Sequence, residues 1–295
     1  MQALKLPLAV PAQPVEHVDT VHYRFHEEGP GLRAPSSRPR RWASRPGGLR
    51  LLAPLLLLAL WQLSASAGWL SEFVLPAPLS IVQAYQELWA TGELQSALPI
   101  SLARAGLGLL VGGGLGLLLG VLAGLSGFAE RLYDAPLQML RTIPFIALVP
   151  LFVVWFGIGE GSKVLLIIGA AIFPVYLNTY HGIRGIDKRL LELGTSFDLS
   201  TWQKISLIVM PLAMPGILVG WRYAAGAALL GLVAAEQINS SAGIGYILNN
   251  ANQFQRTDII IAGILIYAVL GVIVDIAMRL IERALLGWRP RHEQA

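Results

Sequence analysis

The sequence contains no cysteine and few charged residues. The absence of cysteine excludes disulfide bonds, thiolate metal sites and cysteine nucleophiles. Asp, Glu, Lys and Arg make up 14% of the 295 residues, whereas soluble proteins usually carry about 25%. Hydrophobic residues make up 55%, and the 31 glycines are typical of membrane helices that pack closely. This composition argues against a soluble enzyme and favours a membrane protein.

Long segments without Asp, Glu, Lys or Arg are frequent from residue 51 onward. A helix needs about 20 apolar residues to cross the hydrocarbon core of a membrane. Six segments reach or approach that length, so the sequence predicts an all-α membrane protein with six transmembrane helices. The segments are residues 51–71, 105–129, 142–159, 164–183, 205–235 (interrupted by Arg222) and 259–274, the last continuing to about 281.

The start of the chain has a different composition. Residues 1–48 contain seven prolines, are rich in Lys and Arg and show no apolar periodicity, which predicts a disordered basic tail in the cytoplasm. A cleaved signal peptide is not expected, because the apolar run begins late and no strong cleavage signal follows it. The membrane domain is therefore assigned to residues 49–290, and residues 291–295 form a short cytoplasmic C-terminal end.

The distribution of Lys and Arg predicts the orientation, because cytoplasmic loops of membrane proteins are enriched in these residues. The loop 72–99 has neither Lys nor Arg and is placed outside, whereas the loop 184–204 has four and is placed inside. The remaining loops alternate in the same sense, so both termini are predicted to lie in the cytoplasm.

A glycine repeat marks the second predicted span. Small residues on one helix face allow another backbone to approach closely. We favour plain helix packing as the role of this face, with a pore-lining or domain-contact helix as the alternative. The glycines recur at four-residue spacing and are Gly108, Gly112, Gly116, Gly120 and Gly124.

The predicted cytoplasmic loop before span five contains an amphipathic segment. Leu190, Leu193 and Phe197 share one helical face, with charged residues on the other. Ser200 followed by Gln203 is a capping-box pattern that predicts the start of the next helix. The short helix either lies on the membrane surface or docks to a cytoplasmic partner.

The same loop resembles the EAA loop of ABC importer permeases. The resemblance rests on Glu192-Leu-Gly-Thr-Ser-Phe-Asp198, followed by Ile208-Val-Met-Pro211. Glu192, Ile208 and Pro211 match the family pattern, whereas Asp198 stands where the family has glycine. We expect a positive φ angle at that position, which Asp tolerates better than most residues but less well than glycine.

The resemblance extends over residues 52–290 and is greatest to the bacterial aliphatic sulfonate permeases. Trp61-Gln-Leu, Leu75-Pro-Ala-Pro and Gly243-Ile-Gly-Tyr are among the similar segments; taurine, nitrate and bicarbonate permeases share fewer of them. The resemblance implies the type I ABC importer permease fold, with residues 189–203 as a coupling helix. The residues it assigns to ATPase coupling are Leu190, Glu192, Leu193, Phe197, Asp198 and Pro211.

The resemblance also implies an assembly in the bacterial cytoplasmic (inner) membrane. Two permease copies, as a homodimer, would combine with two ATPase subunits and a periplasmic or extracellular substrate-binding protein. ATP and magnesium would be bound by the ATPase, because this chain has no phosphate-binding loop of its own. We expect no cofactor on this chain and no nucleic-acid partner. The external loop 236–258 is expected to receive the binding protein.

Ionisable and polar residues within the spans are candidates for the substrate path. Arg222, near the expected middle of span five, would suit an anionic substrate, or it forms a structural salt bridge. Arg104, at the outer start of span two, would attract anions more weakly, and snorkelling toward the outer headgroups is the preferred interpretation. Asn178, Tyr180 and His181 are candidates for lining the inner half of the path.

Two other classes of protein are less consistent with the sequence. A membrane-embedded enzyme would need a convergent acid/base or metal set, and the sequence shows neither His-Glu-x-x-His nor paired carboxylates within a span. A stand-alone secondary carrier is expected to contain internal repeats, and residues 51–160 show no convincing similarity to residues 161–290. The prediction is therefore a transport subunit rather than an enzyme.

Overall fold

The computed structural model describes residues 47–237 and 240–287, and all regular elements in this part are helical. Residues up to Ala53 form one unit, of which the first turns of a helix are described, and the residues from Pro54 form a second unit. The tail predicted over residues 1–48 lies outside the described residues, except for Gly47 and Gly48, which begin that helix. The C-terminal end predicted at 291–295 also lies outside them.

The described residues form eleven α-helices, with one π-helical segment at Ile205–Val209 that leads directly into α9. Their bounds are α1 Gly47–Ser66, α2 Pro78–Ala90, α3 Glu93–Leu125, α4 Gly127–Arg141, α5 Phe145–Phe156, α6 Glu160–Arg184, α7 Lys188–Ser196, α8 Thr201–Lys204, α9 Met210–Gln237, α10 Ile244–Gln253 and α11 Thr257–Leu285.

Four helical stretches are long and apolar enough to cross a membrane: α3, α6, the continuous stretch Thr201–Gln237 and α11. They correspond to the second, fourth, fifth and sixth predicted spans. Helices α4 and α5 are bent by 110° relative to each other and give a fifth span if the pair is counted as one. The apolar part of α1, Leu52–Ser66, is shorter than a span. The count of six therefore stays a prediction.

The bend between α4 and α5 replaces the straight third span expected over residues 142–159. Pro144 precedes α5 with extended backbone angles (φ −61°, ψ 120°). Proline has no N–H to donate, and its ring disfavours helical angles at the preceding residue, so a helix ends before it. The result is a helix of 12 residues, Phe145–Phe156, which is about 18 Å long.

Helices α3, α6 and α9 pack together as the centre of the second unit. The glycine face of α3 lies directly against α6: a Cβ atom at Gly112 would lie 2.5 Å from the carbonyl oxygen of Ile168, and one at Gly116 would overlap that of Ile172. The other glycines of the repeat also lie against α6: Gly108 at Ile167, Gly120 at Tyr176 and Thr179, and Gly124 at Ile183. Plain helix packing, the favoured interpretation of the repeat, is thus what this face does.

A second core lies where α2, α10 and α11 meet. Ile81 and Leu88 of α2 pack there with Ile244 and Leu248 of α10 and Ile266 of α11. We call the end of the helices that carries this core the α10 end, and the opposite end, where α7 follows α6, the α7 end.

Candidate functional site

The segment between α6 and α9 forms two short helices, α7 and α8, in the region that the resemblance assigns to a coupling helix. Asp187 caps α7 by accepting a hydrogen bond from the Arg189 N–H (2.9 Å). Helix α8 begins at a reciprocal capping box between Ser200 and Gln203, as the sequence predicts. The turn between them exists because α7 ends in a Schellman motif, which stops the helix.

Asp198 is the left-handed residue of that motif, with φ 53°. The N–H of Leu199 donates to the carbonyl of Gly194 (3.0 Å), and the N–H of Asp198 donates to that of Thr195 (3.0 Å). Glycine is usual at this position because it has no Cβ atom to clash. The expected positive φ angle at Asp198 is confirmed.

Helix α7 presents one face to the neighbouring helices and the other to the outside. Gly194 is buried, and a Cβ atom there would lie 2.8 Å from the side chain of Ile208, while Leu191 packs half-buried beside Ile183 and Val209. Close packing therefore fixes α7 on the π-helical segment.

Large apolar side chains of α7, of its C-terminal turn and of α8 are exposed, without a covering element in the described part of the chain. Their exposed fractions are 39% for Leu190, 53% for Leu193, 77% for Phe197 and 75% for Trp202. Glu192 is also exposed, and its carboxylate has no ion pair within the described ranges. We call Leu190, Leu193, Phe197 and Trp202 the α7 surface; exposed large apolar side chains close together in sequence are typical of an interaction site.

Pro211 lies one residue into α9, directly after the π-helical segment Ile205–Val209. Proline cannot donate a hydrogen bond to the carbonyl four residues earlier, and a π-helical turn is one way in which a helix accommodates the missing bond. Pro211 thus marks the point where the loop passes into the long helix.

The residues proposed for the inner half of the path do not meet in one polar cluster. The Asn178 amide donates to the carbonyl of Pro174 (2.8 Å) and lies against Gly220 of α9. The Tyr180 hydroxyl donates to Glu130 of α4, which also pairs with Arg184. His181 is exposed, with its ring edge toward Tyr180. Their place on a substrate path stays a prediction.

Arg222 forms an ion pair with the last helix. Its Nε donates to Oδ1 of Asp275 (2.9 Å), and Arg279 donates to the other oxygen of the same carboxylate (2.7 Å). The salt-bridge alternative for Arg222 is therefore the one observed. Arg222 lies close to the middle of α9, which runs from Met210 to Gln237. Its depth in the membrane stays a prediction.

Arg104 does not snorkel toward the headgroups, and that expectation is wrong. The residue is 4% exposed and turns into the protein. Its Nη2 donates to Glu160 (2.6 Å) and its Nη1 to Glu236 (2.6 Å) and to the carbonyl of Ala242 (2.7 Å). Burial of a guanidinium is tolerated when carboxylates and carbonyls replace its water in this way.

Glu236 is the partner that the sequence analysis missed. It is completely buried and accepts hydrogen bonds from Ser101 (2.8 Å), the N–H of Gly245 (2.9 Å) and Tyr267 (3.2 Å). The fifth predicted span ended at residue 235, one residue before it, because the search stopped at acids. Asp275 was missed for the same reason, since the apolar run ended at residue 274. A search that kept single acids within helices would have found both.

The loops 72–99 and 236–258, both of which the sequence analysis places outside, meet at the α10 end. A cavity of about 410 Å³ is lined by residues of both, including Glu72 and Gln83 from the first and Gln255 from the second. Arg256 joins the loops by pairing with Glu87 (2.6 Å) and Asp258 (2.9 Å). Hydrogen bonding to the Arg256 guanidinium holds the pKa of Glu87 below its usual value.

Metal-binding clusters are not found in the part of the chain that the structure describes. The polar groups instead form ion pairs between helices, and the apolar α7 surface is the feature best suited to bind a macromolecule. These features are typical of a membrane subunit that works with partners.

Comparison with known proteins agrees with this interpretation. Residues 116–287 match the protein family described as "Binding-protein-dependent transport system inner membrane component". The chain is 46% identical over 265 residues to the putative aliphatic sulfonates transport permease protein SsuC of Bacillus subtilis, covering 90% of this chain and 96% of that protein. It is 45% identical over 239 residues to SsuC of Escherichia coli, covering 81% and 91%.

More distant similarities extend to other transport systems. The taurine transport system permease protein TauC of Escherichia coli is 31% identical over 254 residues, covering 84% of this chain and 92% of that protein. Among solved structures, an inward-facing conformation of the MetNI methionine ABC transporter aligns with a TM-score of 0.57 over 64% of this chain and 94% of the other. At 18% identity the latter is a similarity of fold.

Proposed function

Because the chain belongs to the family of binding-protein-dependent transport system inner membrane components, we propose that it is the permease subunit of an ATP-driven importer of aliphatic sulfonates. The assignment of the substrate rests on the difference in sequence identity, which is 46% and 45% to two putative aliphatic sulfonate permeases and 31% to a taurine permease. Taurine is itself a sulfonate, so it is the second candidate.

We propose that two copies of this chain combine with two ATPase subunits at the α7 end. The support is the exposed apolar side chains of the α7 surface, together with the exposed carboxylate of Glu192 on the same helix. An amphipathic helix that enters a groove on a partner uses this kind of face. Phe197 and Trp202, the most exposed members, would fill the groove, and Glu192 would contact the ATPase or hold the loop.

The charge distribution supports an orientation with the α7 end in the cytoplasm and the α10 end outside. Both termini would then be cytoplasmic. The binding protein would dock at the α10 end, where the cavity of about 410 Å³ joins the loops 72–99 and 236–258. Cross-linking from both loops to the binding protein is the expected result, and contact from neither would contradict this assignment.

The permease itself would hold the substrate weakly. Arg222 remains the better candidate for contact with an anion, because its side chain is 37% exposed. Its charge is balanced by Asp275, so the attraction would be modest, as suits a conduit that must release its substrate. Arg104 is the weaker candidate, because its guanidinium is enclosed by Glu160 and Glu236.

Reconstitution tests the proposed function. The permease, its ATPase and its binding protein are placed in liposomes, and ATP hydrolysis and uptake are measured with a panel of alkane sulfonates, taurine, nitrate and bicarbonate. Alkane sulfonates should give the greatest stimulation. Stimulation by nitrate or bicarbonate alone would refute the assignment of aliphatic sulfonates as the substrate. Uptake by the permease without the ATPase would favour a secondary carrier.

A further inference from the structure

The buried polar network at the α10 end joins five helices through two charged side chains. Arg104 on α3 pairs with Glu160 on α6 and with Glu236 on α9. Glu236 also accepts from Tyr267 on α11 and from the N–H of Gly245 in α10. The relative positions of α3, α6 and α9 at this end therefore depend on the Glu236 carboxylate and the Arg104 guanidinium.

Helix α10 is held by the same groups. The first N–H groups of a helix have no partner within it, and here those of Ile244 and Gly245 donate to Ser101 (2.9 Å) and Glu236 (2.9 Å). Gly243, with φ 111°, lets the chain pass so closely that a Cβ atom would lie 2.7 Å from Nη1 of Arg104. The carbonyl of Ala242 also accepts from that nitrogen. Displacing α10 would therefore remove hydrogen bonds from both charges at once.

The contact between α3 and α6 changes character along its length. From Gly108 to Gly124 it is close packing of glycines against α6. Toward the α10 end the glycine repeat is not continued: Ala105 packs with Ile167 of α6, and the next turn of α3 carries the buried polar residues Ser101 and Arg104. There the two helices are joined by Arg104 and Glu160. Close packing holds the two helices together whatever the position of α10. An ion pair weakens when the hydrogen bonds that α10 makes to its two charges are lost.

We infer that Ser101, Arg104, Glu160 and Glu236 form a latch that keeps the α10 ends of α3, α6 and α9 together, and that displacement of α10 releases it. The inference rests on the proposed function in one respect: the partner that displaces α10 is the substrate-loaded binding protein docked at that end. In the latch, Glu236 and Arg104 are positioning residues, because they act on the separation of the helices. The exposed side of the network is Glu160, whose side chain is 59% exposed.

The absence of cysteine makes a direct test practical. Ser96→Cys in α3 and Gly161→Cys in α6 are both exposed, and a Cβ atom at Gly161 meets nothing within 4 Å in the described structure. The permease is spin-labelled at both sites and assembled with its ATPase, and the distance distribution is measured in nanodiscs. Permeases labelled at one site only show the distances between the two permease copies, which are subtracted.

The latch variant is Glu236→Gln, which keeps the shape of the side chain and removes its charge. Glu93→Gln is the matched control, because Glu93 is an exposed carboxylate at the same end without an ion pair in the described residues. Glu236→Gln should lengthen and broaden the distances without the binding protein. It should also raise basal ATP hydrolysis by about 5-fold or more, the lower range of couplings between sites. Glu93→Gln should change neither.

An assembled Glu236→Gln complex with the distances and basal hydrolysis of the unmodified protein would overturn the latch. If Glu236→Gln does not assemble, Glu160→Gln decides by the same two measurements, because it weakens the exposed side of the network. The distances are measured without substrate. If the proposed substrate or docking partner is wrong, the spin-label distances are therefore unaffected. That error would be detected separately, in the uptake assay.

Discussion

Replacing Gly112 by alanine tests whether the close packing of α3 on α6 stabilises this fold. The added Cβ atom would lie 2.5 Å from the Ile168 carbonyl oxygen and 2.9 Å from its Cα atom. These are backbone atoms of a helix, which cannot rotate aside, so α6 must move outward by several tenths of an ångström. Overpacking of this kind costs about 1–3 kcal/mol, and each kcal/mol lowers Tm by about 2–4 °C in a chain of this size.

Gly114→Ala is the matched control on the same helix, because a Cβ atom there meets nothing within 4 Å among the described residues. Alanine is favoured over glycine in a helix by about 0.5–1 kcal/mol, so this variant should be unchanged or slightly more stable. Tm of both variants is measured in the same detergent. Equal Tm values for Gly112→Ala and Gly114→Ala would refute the assigned packing.

Three further predictions concern Glu192, the ion pair between α9 and α11, and the turn at Asp198. Glu192→Lys should uncouple ATP hydrolysis from uptake, and uptake at the unmodified rate would contradict its assigned role. Arg222→Asp should impair assembly by placing two like charges together, and adding Asp275→Arg in the same chain should restore it. The yield of the complex measures both effects. No rescue would mean that Arg222 and Asp275 are not in direct contact. Asp198→Gly should preserve or raise Tm. Asp198→Val should reduce the free energy of unfolding by about 1–2 kcal/mol, and so lower Tm, because valine is strained in the left-handed backbone conformation. Equal Tm values for the two variants would contradict the φ angle.

The sequence was informative wherever a local pattern decides the structure. Apolar length predicted the four long helical stretches, the four-residue glycine spacing predicted the packing face of α3, and the Ser200–Gln203 pattern predicted the start of α8. The family pattern predicted the backbone angle at Asp198. Each of these features depends on residues within a few turns of one another, so the sequence contains what is needed.

The ion pairs could not be predicted in the same way, because they join residues distant in sequence. Arg104 meets Glu236 across 132 positions and Arg222 meets Asp275 across 53. Which charges meet depends on helix register and crossing, and these follow from the packing of whole faces. The rule that charges in spans snorkel or line a path therefore failed for Arg104, which finds its partners inside the protein.

Helix α6 connects the two regions on which the proposals rest. It begins at Glu160, in the latch, and ends at Arg184, three residues before the capping residue of α7. Its 25 residues are unbroken and span about 37 Å. The glycine face of α3 packs against α6 from Ile167 to Ile183, and we expect helices packed this closely to move as one body over that length. A displacement of α7 by the proposed ATPase partner would therefore be transmitted along α6 toward Glu160, which pairs with Arg104. The latch thus lies at the place where such a displacement can separate the helices.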